Sequence, residues 1–231
     1  MVSPLKTLVK AILETIYPPL CPGCRIPMKE WESLLCLSCE MELVPLDIHT
    51  IKENFFSRHF LGRVPIEHCC ALFQFSKEGL AQNLVFDIKY NGNKKLAFAL
   101  GRRLGRLLLE GIEPPDVMIP VPLHRNRQNV RGFNQSLLIG KGIEEVTGWP
   151  LNSEILFRRR STESQTSKGR LQRWKNMTAV FHLKETKALE GKHVLLIDDV
   201  MTTGATLEAC ANPLVGVEGI RLSLCTLATG F

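Results

Sequence analysis

The sequence predicts an α/β fold built on a largely parallel sheet and preceded by a small cysteine-rich module. From about residue 68 onwards, buried apolar runs alternate with segments of helical periodicity, as in sheets whose parallel strands are joined by helices. The run 194–197 is apolar at every position, which is typical of a strand covered on both faces. With 231 residues and 45% hydrophobic content, the chain can bury one main core and a small appendage. We expect an N-terminal helix and metal module over 1–45, a linker over 46–67 and the main domain over 68–231.

The individual elements follow from the spacing of apolar residues. The first predicted helix is amphipathic and contains Lys6, Lys10 and Glu14, so no apolar run reaches the roughly 18 residues of a membrane span. No small-residue cleavage site follows it, and a cytoplasmic protein is expected. Pro213 lies near the third turn of the last helix, where it favours a kink or an early end and weakens the expected docking of the last strand. We expect helices at 5–16, 79–88, 95–109 and 133–146, and strands at 70–75, 116–122, 154–157, 194–200 and 220–227.

Two adjacent carboxylates and a hydroxyl-rich glycine turn end the strand at 194–200. Successive side chains of a strand point to opposite faces, so Asp198 and Asp199 should flank a crevice as candidate catalytic residues, facing sugar hydroxyls directly or through Mg²⁺. The turn that follows combines free backbone N–H groups at a helix start with threonine hydroxyls, which suits a phosphate group. A plain strand end with a helix cap is the alternative. The predicted phosphate turn consists of Thr202, Thr203, Gly204, Ala205 and Thr206.

A second candidate anion site follows the strand at 116–122. The loop after it contains three arginines before the next helix. Because the guanidinium group binds phosphate through two parallel contacts, Arg125 is a candidate for holding a second phosphate group, and Pro122 at the strand end is a candidate for lining the same site. An exposed basic turn without a ligand is the alternative.

Positive charge is concentrated in the middle of the chain. The whole sequence has a net charge of +6, whereas residues 124–175 alone hold eleven Lys or Arg and four Asp or Glu, a balance of +7. Such a patch attracts polyanions, and single-stranded nucleic acid also stacks on rings such as Phe133, Phe157 and Trp174, although such rings are more often core. Residues 159–170 are equally consistent with a hood that closes over a bound sugar phosphate. The candidate nucleic-acid-binding residues are Arg127, Arg131, Arg158, Arg159, Arg160, Lys168 and Arg170.

Two C-x-x-C pairs, separated by eleven residues, lie near the N-terminus. Paired thiolates on two-residue spacers can reach one ion, and four sulfur ligands leave no open position, so a structural Zn²⁺ is expected. Two disulfides or a redox C-x-x-C are the competing interpretations, but no secretory signal is evident and neither pair lies in a βαβ pattern. A segment without a core of its own should unfold when the metal is removed. The ligands would be Cys21, Cys24, Cys36 and Cys39, whereas Cys69, Cys70, Cys210 and Cys225 are expected to be plain buried residues.

The strand, acid pair and Thr-Thr-Gly turn together resemble the phosphoribosyl pyrophosphate signature of the type I phosphoribosyltransferases. The resemblance implies that the acid pair contacts the ribose hydroxyls, that the turn binds the 5-phosphate, and that the arginine loop holds pyrophosphate. The chain as a whole resembles the ComF family, which joins a four-cysteine zinc module to such a domain. The further motifs that carry this resemblance are Ile88-Lys89-Tyr90-x-Gly92, Val121-Pro122-Leu123-His124, Arg131-Gly132-Phe133-Asn134-Gln135 and Arg160-x-Thr162-x-x-Gln165.

Two functions from different classes fit these motifs. The ComF resemblance implies a cytoplasmic bacterial protein of natural competence that binds phosphoribosyl pyrophosphate, handles single-stranded DNA and works with competence-machinery proteins. The alternative is an active phosphoribosyltransferase, in which the acid pair orients the ribose, the arginine loop and Mg²⁺ draw off pyrophosphate, and a nitrogenous acceptor attacks the sugar. The sequence shows no residue set for a purine, pyrimidine or amine acceptor, which favours the first function.

Overall fold

The computed structural model describes residues 18–29, 31–32, 34–43, 55–123, 131–158 and 180–230. The helix predicted at 5–16 lies outside these residues. Within them, none of the helices has the length and apolarity to cross a membrane. The helices are α1 (Leu37–Glu42), α2 (Phe55–Arg58), α3 (Leu80–Tyr90), α4 (Lys94–Gly111), α5 (Gln135–Thr147) and α6 (Ala205–Val215), with a short 3₁₀ helix at Lys187–Leu189. The strands are β1 (His68–Phe75), β2 (Val117–Pro120), β3 (Leu156–Arg158), β4 (Phe181–Leu183), β5 (His193–Met201) and β6 (Arg221–Gly230).

The main sheet is parallel and has the strand order β1-β6-β5-β2. Its central strand β5 is covered on both faces, as its continuous apolar run predicts. Leu195 and Ile197 pack with α3, α4 and α5 on one face, whereas Val194 and Leu196 pack with α6 on the other. The carboxyl ends of all four strands meet at one edge, where ligands of open α/β sheets bind.

Helices α4 and α5 cross closely because glycines remove side chains at their contact. A Cβ atom added to Gly101 would lie 2.2 Å from the carbonyl oxygen of Ile139, and one added to Gly142 would lie 2.2 Å from that of Phe98. This crossing fixes α5 beside β5. The side chain of Asn134 caps the start of α5 by accepting the N–H of Ser136 at 3.0 Å. The start of α5 is thereby held at the carboxyl edge of the sheet.

The strand predicted at 154–157 is real but does not belong to the main sheet. It forms β3, which pairs antiparallel with β4 in a separate two-stranded sheet. Only Leu156 of its three residues is buried. A strand this short, with one buried side chain, cannot fill a position covered on both faces.

The last helix does not end at Pro213; a kink, the other expected effect of this proline, stays a prediction. Helix α6 contains Pro213 and runs to Val215. The missing N–H of the proline removes one hydrogen bond, and only two helical residues follow it. The last strand is also fully docked: β6 lies between β1 and β5, and its residues from Leu222 to Gly230 are buried.

The described part of the predicted linker packs into the core. Phe56, Phe60 and Val64 are at most 4% exposed and pack in the same apolar cluster as α6. Because the segment as a whole is polar, its composition does not predict that these three residues are buried. The cysteine segment also belongs to one apolar cluster with the main core, and the members of this cluster include Leu80 and Leu84 of α3. The domain boundaries at 45/46 and 67/68 remain predictions.

Candidate functional site

The acid pair lies at the carboxyl end of β5, and its two members have different partners. One carboxylate oxygen of Asp198 accepts hydrogen bonds from the hydroxyl of Ser136 at 3.0 Å and from the backbone N–H of Asp199 at 2.9 Å. The carboxylate of Asp199, which is 7% exposed, lies 2.9 Å from the ammonium group of Lys89. Helices α5 and α3 therefore hold the two carboxylates from separate directions.

This environment makes the carboxyl group of Asp198 a weaker acid than usual. Burial, followed by the negative charge of Asp199, raises the pKa of Asp198 to about 7. Near neutral pH the carboxyl group of Asp198 is therefore partly protonated. In its protonated form it can donate one hydrogen bond as well as accept others, which suits a sugar hydroxyl.

The predicted phosphate turn lies directly after β5 and opens to solvent. Gly204 has a φ of +74°, a left-handed conformation that favours glycine, and it precedes the first residue of α6. The N–H of Ala205 donates a long hydrogen bond, 3.5 Å between donor and acceptor, to the hydroxyl of Thr203. Thr202, Thr203, Ala205 and Thr206 are exposed at this helix start. The arrangement provides hydroxyls and backbone donors at the positive end of a helix, as an anion requires.

The arginine loop is tied to the same edge at both ends. The side chain of Asn134 donates to the carbonyl oxygen of Val121 at 3.0 Å, which joins the two ends of the loop. Pro122 is half-buried, and Arg131 packs its guanidinium group 5.5 Å from the centroid of the Tyr90 ring. Arg125 and Arg127 lie outside the described residues.

The predicted nucleic-acid-binding residues divide between described and undescribed parts of the chain. Arg158 on β3 lies with its guanidinium group 5.4 Å from the Phe181 ring. Phe133 is 9% exposed and belongs to the core, whereas Phe157 is 42% exposed and stacks on His182. The structure thus brings Arg131 close to the acid-pair edge and places Arg158 on the separate hairpin. Outside the described residues lie Arg159, Arg160, Lys168, Arg170 and Trp174.

Sequence reasoning missed two side chains that hold the acid pair. Lys89 belongs to a motif that carries the family resemblance, but no local pattern connects it with Asp199, which lies 110 positions away along the chain. Ser136 follows the Asn134 cap directly, and this cap is the only local signal of its place at the start of α5. Both contacts depend on how the helices pack on the sheet.

The four N-terminal cysteines converge as the spacing predicts. Their sulfur atoms all lie within 4.8 Å of one another, with 3.5 Å between those of Cys24 and Cys36. Four ligands at about 2.3 Å around a tetrahedral Zn²⁺ are about 3.8 Å apart, so the cluster fits this ion. Burial alone would raise the pKa of Cys21, but nearby backbone N–H groups, with that of Cys36 first, lower it to about 7. Burial and the neighbouring thiol groups raise the pKa of Cys39, so a cation bound by all four sulfur atoms has to displace protons from the cluster.

A polar network joins this cysteine module to α3. The carboxylate of Asp87, 3% exposed, accepts hydrogen bonds from Arg25 at 2.6 Å and from Asn91 and Asn93 at 2.7 Å each. The amide of Asn83 donates to the carbonyl oxygen of Gly23 in the first C-x-x-C turn at 2.8 Å. Because α3 also carries the lysine that pairs with the acid pair, the module and the candidate site share one helix.

Comparison with known proteins agrees with these features. A family model described as phosphoribosyl transferase domain matches residues 155–230. DNA utilization protein YhgH of Escherichia coli O157:H7 is 32% identical over 137 residues, which cover 57% of this chain and 60% of YhgH. Competence protein ComFC of Bacillus subtilis (strain 168) is 35% identical over 102 residues, covering 43% of this chain and 38% of ComFC. The ComF resemblance is confirmed.

The chain spans no more than 60% of the length of these two relatives. Its fold class is also confirmed, because the parallel sheet and the matched domain are of the phosphoribosyltransferase kind. Among solved structures, that entitled "Structure of the allosteric regulatory enzyme of purine biosynthesis" shares 17% identity with a TM-score of 0.43, covering 61% of this chain and 30% of that chain. A purine phosphoribosyltransferase from Pyrococcus horikoshii shares 19% identity with a TM-score of 0.33, covering 56% of this chain and 70% of that chain.

Proposed function

We propose that this ComF-like chain binds phosphoribosyl pyrophosphate at the carboxyl edge of its sheet and handles single-stranded DNA in the cytoplasm during natural competence. The observation that carries the proposal is the order of groups along one strand end: an acid pair, then an exposed hydroxyl-rich turn that begins a helix. Each group matches one part of a sugar phosphate. The names of the relatives, a DNA utilization protein and a competence protein, support the role in DNA handling.

Different residues at this edge would bind different parts of the ligand. Asp198 and Asp199 would orient the two ribose hydroxyls, and the turn Thr202–Thr206 would hold the 5-phosphate through backbone N–H groups and hydroxyls. Arg125 would bind the pyrophosphate, and Pro122, which has no N–H to donate, would line the site beside it. Ser136 keeps the carboxyl group of Asp198 in place, since its hydroxyl already donates to it at 3.0 Å.

Magnesium fits the same edge. Paired carboxylates are the protein ligands that Mg²⁺ prefers, and the ion would supply charge neutralisation for the pyrophosphate oxygens. Asp198 and Asp199 would hold it together with the ligand. Because the ammonium group of Lys89 lies 2.9 Å from Asp199, a second cation there has to share or replace this partner. Lys89 keeps Asp199 paired with a cation before the ligand arrives.

The alternative function is an active phosphoribosyltransferase acting on a nitrogenous acceptor. The matched phosphoribosyl transferase domain is the observation that favours it. Both functions require phosphoribosyl pyrophosphate to bind, and they differ in whether pyrophosphate is released. Release of pyrophosphate that depends on an added amine or nucleobase would establish the enzyme; its absence with binding intact supports the competence role.

The test is calorimetric titration of phosphoribosyl pyrophosphate in the presence and absence of Mg²⁺. The double variant Asp198→Asn with Asp199→Asn should lose magnesium-dependent binding, because both anionic oxygen donors are removed. Glu185→Gln, a change at an exposed acid on the protein surface, is the matched control and should titrate like the wild type. If the double variant binds the ligand as the wild type does, the acid pair does not contribute to binding.

DNA binding is tested separately by fluorescence anisotropy of a labelled single-stranded oligonucleotide at two salt concentrations. Replacing Arg158, Arg159 and Arg160 together by alanine should weaken binding and flatten the salt slope by about 2, at about 0.7 per lost phosphate contact on a single strand. An unaltered slope would mean that this stretch does not contact DNA. Displacement of the oligonucleotide by phosphoribosyl pyrophosphate would indicate that both ligands bind at the carboxyl edge of the sheet.

A further inference from the structure

Helix α3 presents two aromatic rings to solvent. Phe86 is 52% exposed and Tyr90 is 66% exposed, although burying an aromatic ring in a core or an interface contributes strongly to its stability. The two residues are one helical turn apart and their ring centroids lie 4.7 Å from each other, with 38° between the ring planes. The pair therefore forms a continuous aromatic surface on the outside of the protein.

This aromatic surface borders the candidate ligand site. Lys89, on the same helix turn, reaches into the site and contacts Asp199 at 2.9 Å. On the other side, the guanidinium group of Arg131 lies 5.5 Å from the centroid of the Tyr90 ring. Arg131 also lies at the end of the arginine loop, close to the cap of α5. The exposed rings are thus flanked by cations at the rim of the acid-pair edge.

The charge around the rings indicates what covers them. A surface for a second copy of this basic chain, net charge +6, would bring like charges together. A single strand of nucleic acid offers both complements at once, because each unpaired base has a face that stacks on a ring and each phosphate pairs with an arginine or lysine. Duplex DNA offers no exposed base faces, so its bases would not stack on these rings.

We propose that Phe86 and Tyr90 form a stacking platform for an unpaired base of single-stranded DNA, and that Arg131 holds the adjacent phosphate. This inference rests on the proposed DNA-handling function and names its contact surface. The strand would cross the entrance of the sugar-phosphate site. Phe86 and Tyr90 lie outside the basic segment 124–175 that composition indicates as a DNA surface, whereas Arg131 is one of the candidate nucleic-acid-binding residues of that segment.

The experiment measures the affinity of purified full-length protein for a labelled oligothymidylate by fluorescence anisotropy. Because stacking contributes about 1–3 kcal/mol per base, Phe86→Ala and Tyr90→Ala should each weaken binding at least about fivefold, while Tyr90→Phe, which keeps the ring, should stay near the wild type. Their salt slopes should equal that of the wild type, since no phosphate contact is lost. Arg131→Gln should reduce the slope by about 0.7. Leu109→Ala, at another exposed apolar residue on α4, is the matched control.

A second measurement uses the wild-type protein alone and so does not depend on how a variant folds. An abasic oligonucleotide of the same length, which keeps every phosphate and lacks bases, should bind at least about fivefold more weakly than oligothymidylate. Equal binding of the two oligonucleotides, or wild-type affinity in both alanine variants, would overturn the stacking platform while leaving DNA binding intact. If the wild type binds no oligonucleotide at low salt, the proposed DNA function fails and the platform with it. A concentration-dependent dimer in sedimentation that both alanine variants abolish would assign the surface to self-association instead.

Discussion

Replacing Asp87 by asparagine should uncouple the cysteine module from the main core with almost no change in side-chain shape. The Asp87 carboxylate is 3% exposed and accepts three hydrogen bonds, from Arg25, Asn91 and Asn93. In the Asp87→Asn variant the side-chain oxygen can still accept, but the new amide group faces other donors. The negative charge that balances Arg25 is also lost.

The three contacts set the size of the effect. Hydrogen bonds to charged groups contribute about 1.5–3 kcal/mol and neutral ones about 1 kcal/mol, so each of the three contacts weakens by about 1 kcal/mol or is lost. The Arg25 side chain is 49% exposed and regains water, which limits its share of the loss. We expect the free energy of unfolding at pH 7 to fall by about 3 kcal/mol. At a typical denaturant dependence of about 2 kcal/mol per molar, the urea midpoint falls by about 1.5 M.

The pH dependence of this difference distinguishes a charge effect from a packing effect. Burial raises the pKa of Asp87, but the hydrogen bonds from Asn91, Asn93 and Arg25 outweigh it and hold the pKa below its ordinary value of 3.8. A lowered carboxyl pKa stabilises the protein above the ordinary value, and this contribution is lost as the pH falls through the lowered pKa. Urea unfolding should therefore show the difference in full at pH 7 and a smaller one in strong acid. A loss below about 0.5 kcal/mol at pH 7 would refute the reasoning; Glu185→Gln, at an exposed acid, is the control.

Three further outcomes are expected. Elemental analysis of fresh, reduced protein should find one zinc per chain, and chelation should lower the melting temperature; a zinc content near zero would contradict the four-cysteine site. Because burial and then Asp199 raise the pKa of Asp198 to about 7, the folded protein holds a proton that the unfolded chain releases above pH 3.8, so wild-type stability without magnesium should fall by up to about 4 kcal/mol as the pH rises towards 7. Asp198→Asn should flatten this fall, and parallel curves would show that the group does not titrate there. Gly204→Ala, at a φ of +74° and with the new Cβ 3.2 Å from the Phe60 ring, should lose about 1–2 kcal/mol in thermal unfolding, whereas Gly216→Ala, at a φ of −76°, should not.

The features that the sequence predicts well are those encoded locally. The continuous apolar run of β5, the C-x-x-C spacing and the Thr-Thr-Gly turn each need only a few consecutive residues, and the structure places the strand, the sulfur cluster and the turn as expected. Helix α4 likewise follows from its apolar periodicity, and its bounds differ from the prediction by one or two residues.

The features that it predicts poorly depend on contacts between distant segments. β3 has the apolar start of a sheet strand, but only its pairing partner decides that it belongs to a hairpin. Phe60 lies in a polar segment, yet it packs beside Gly204, 144 positions further along the chain. The pairing of Lys89 with Asp199 requires α3 to pack beside the carboxyl end of β5, and no periodicity of α3 contains that information.

The position of β6 sets the order in which the protein can mature during synthesis. β1 leaves the ribosome early, but its partner in the sheet is β6, which is synthesised about 150 residues later. Until β6 is synthesised, no strand joins β1 to β5, and the sheet edge that holds the acid pair is incomplete. The four cysteines emerge before any of these strands and can capture their metal while the sheet is still open. A nascent chain should thus gain its metal long before it gains a ligand site, and slow closure of this long-range sheet is the expected last step of folding.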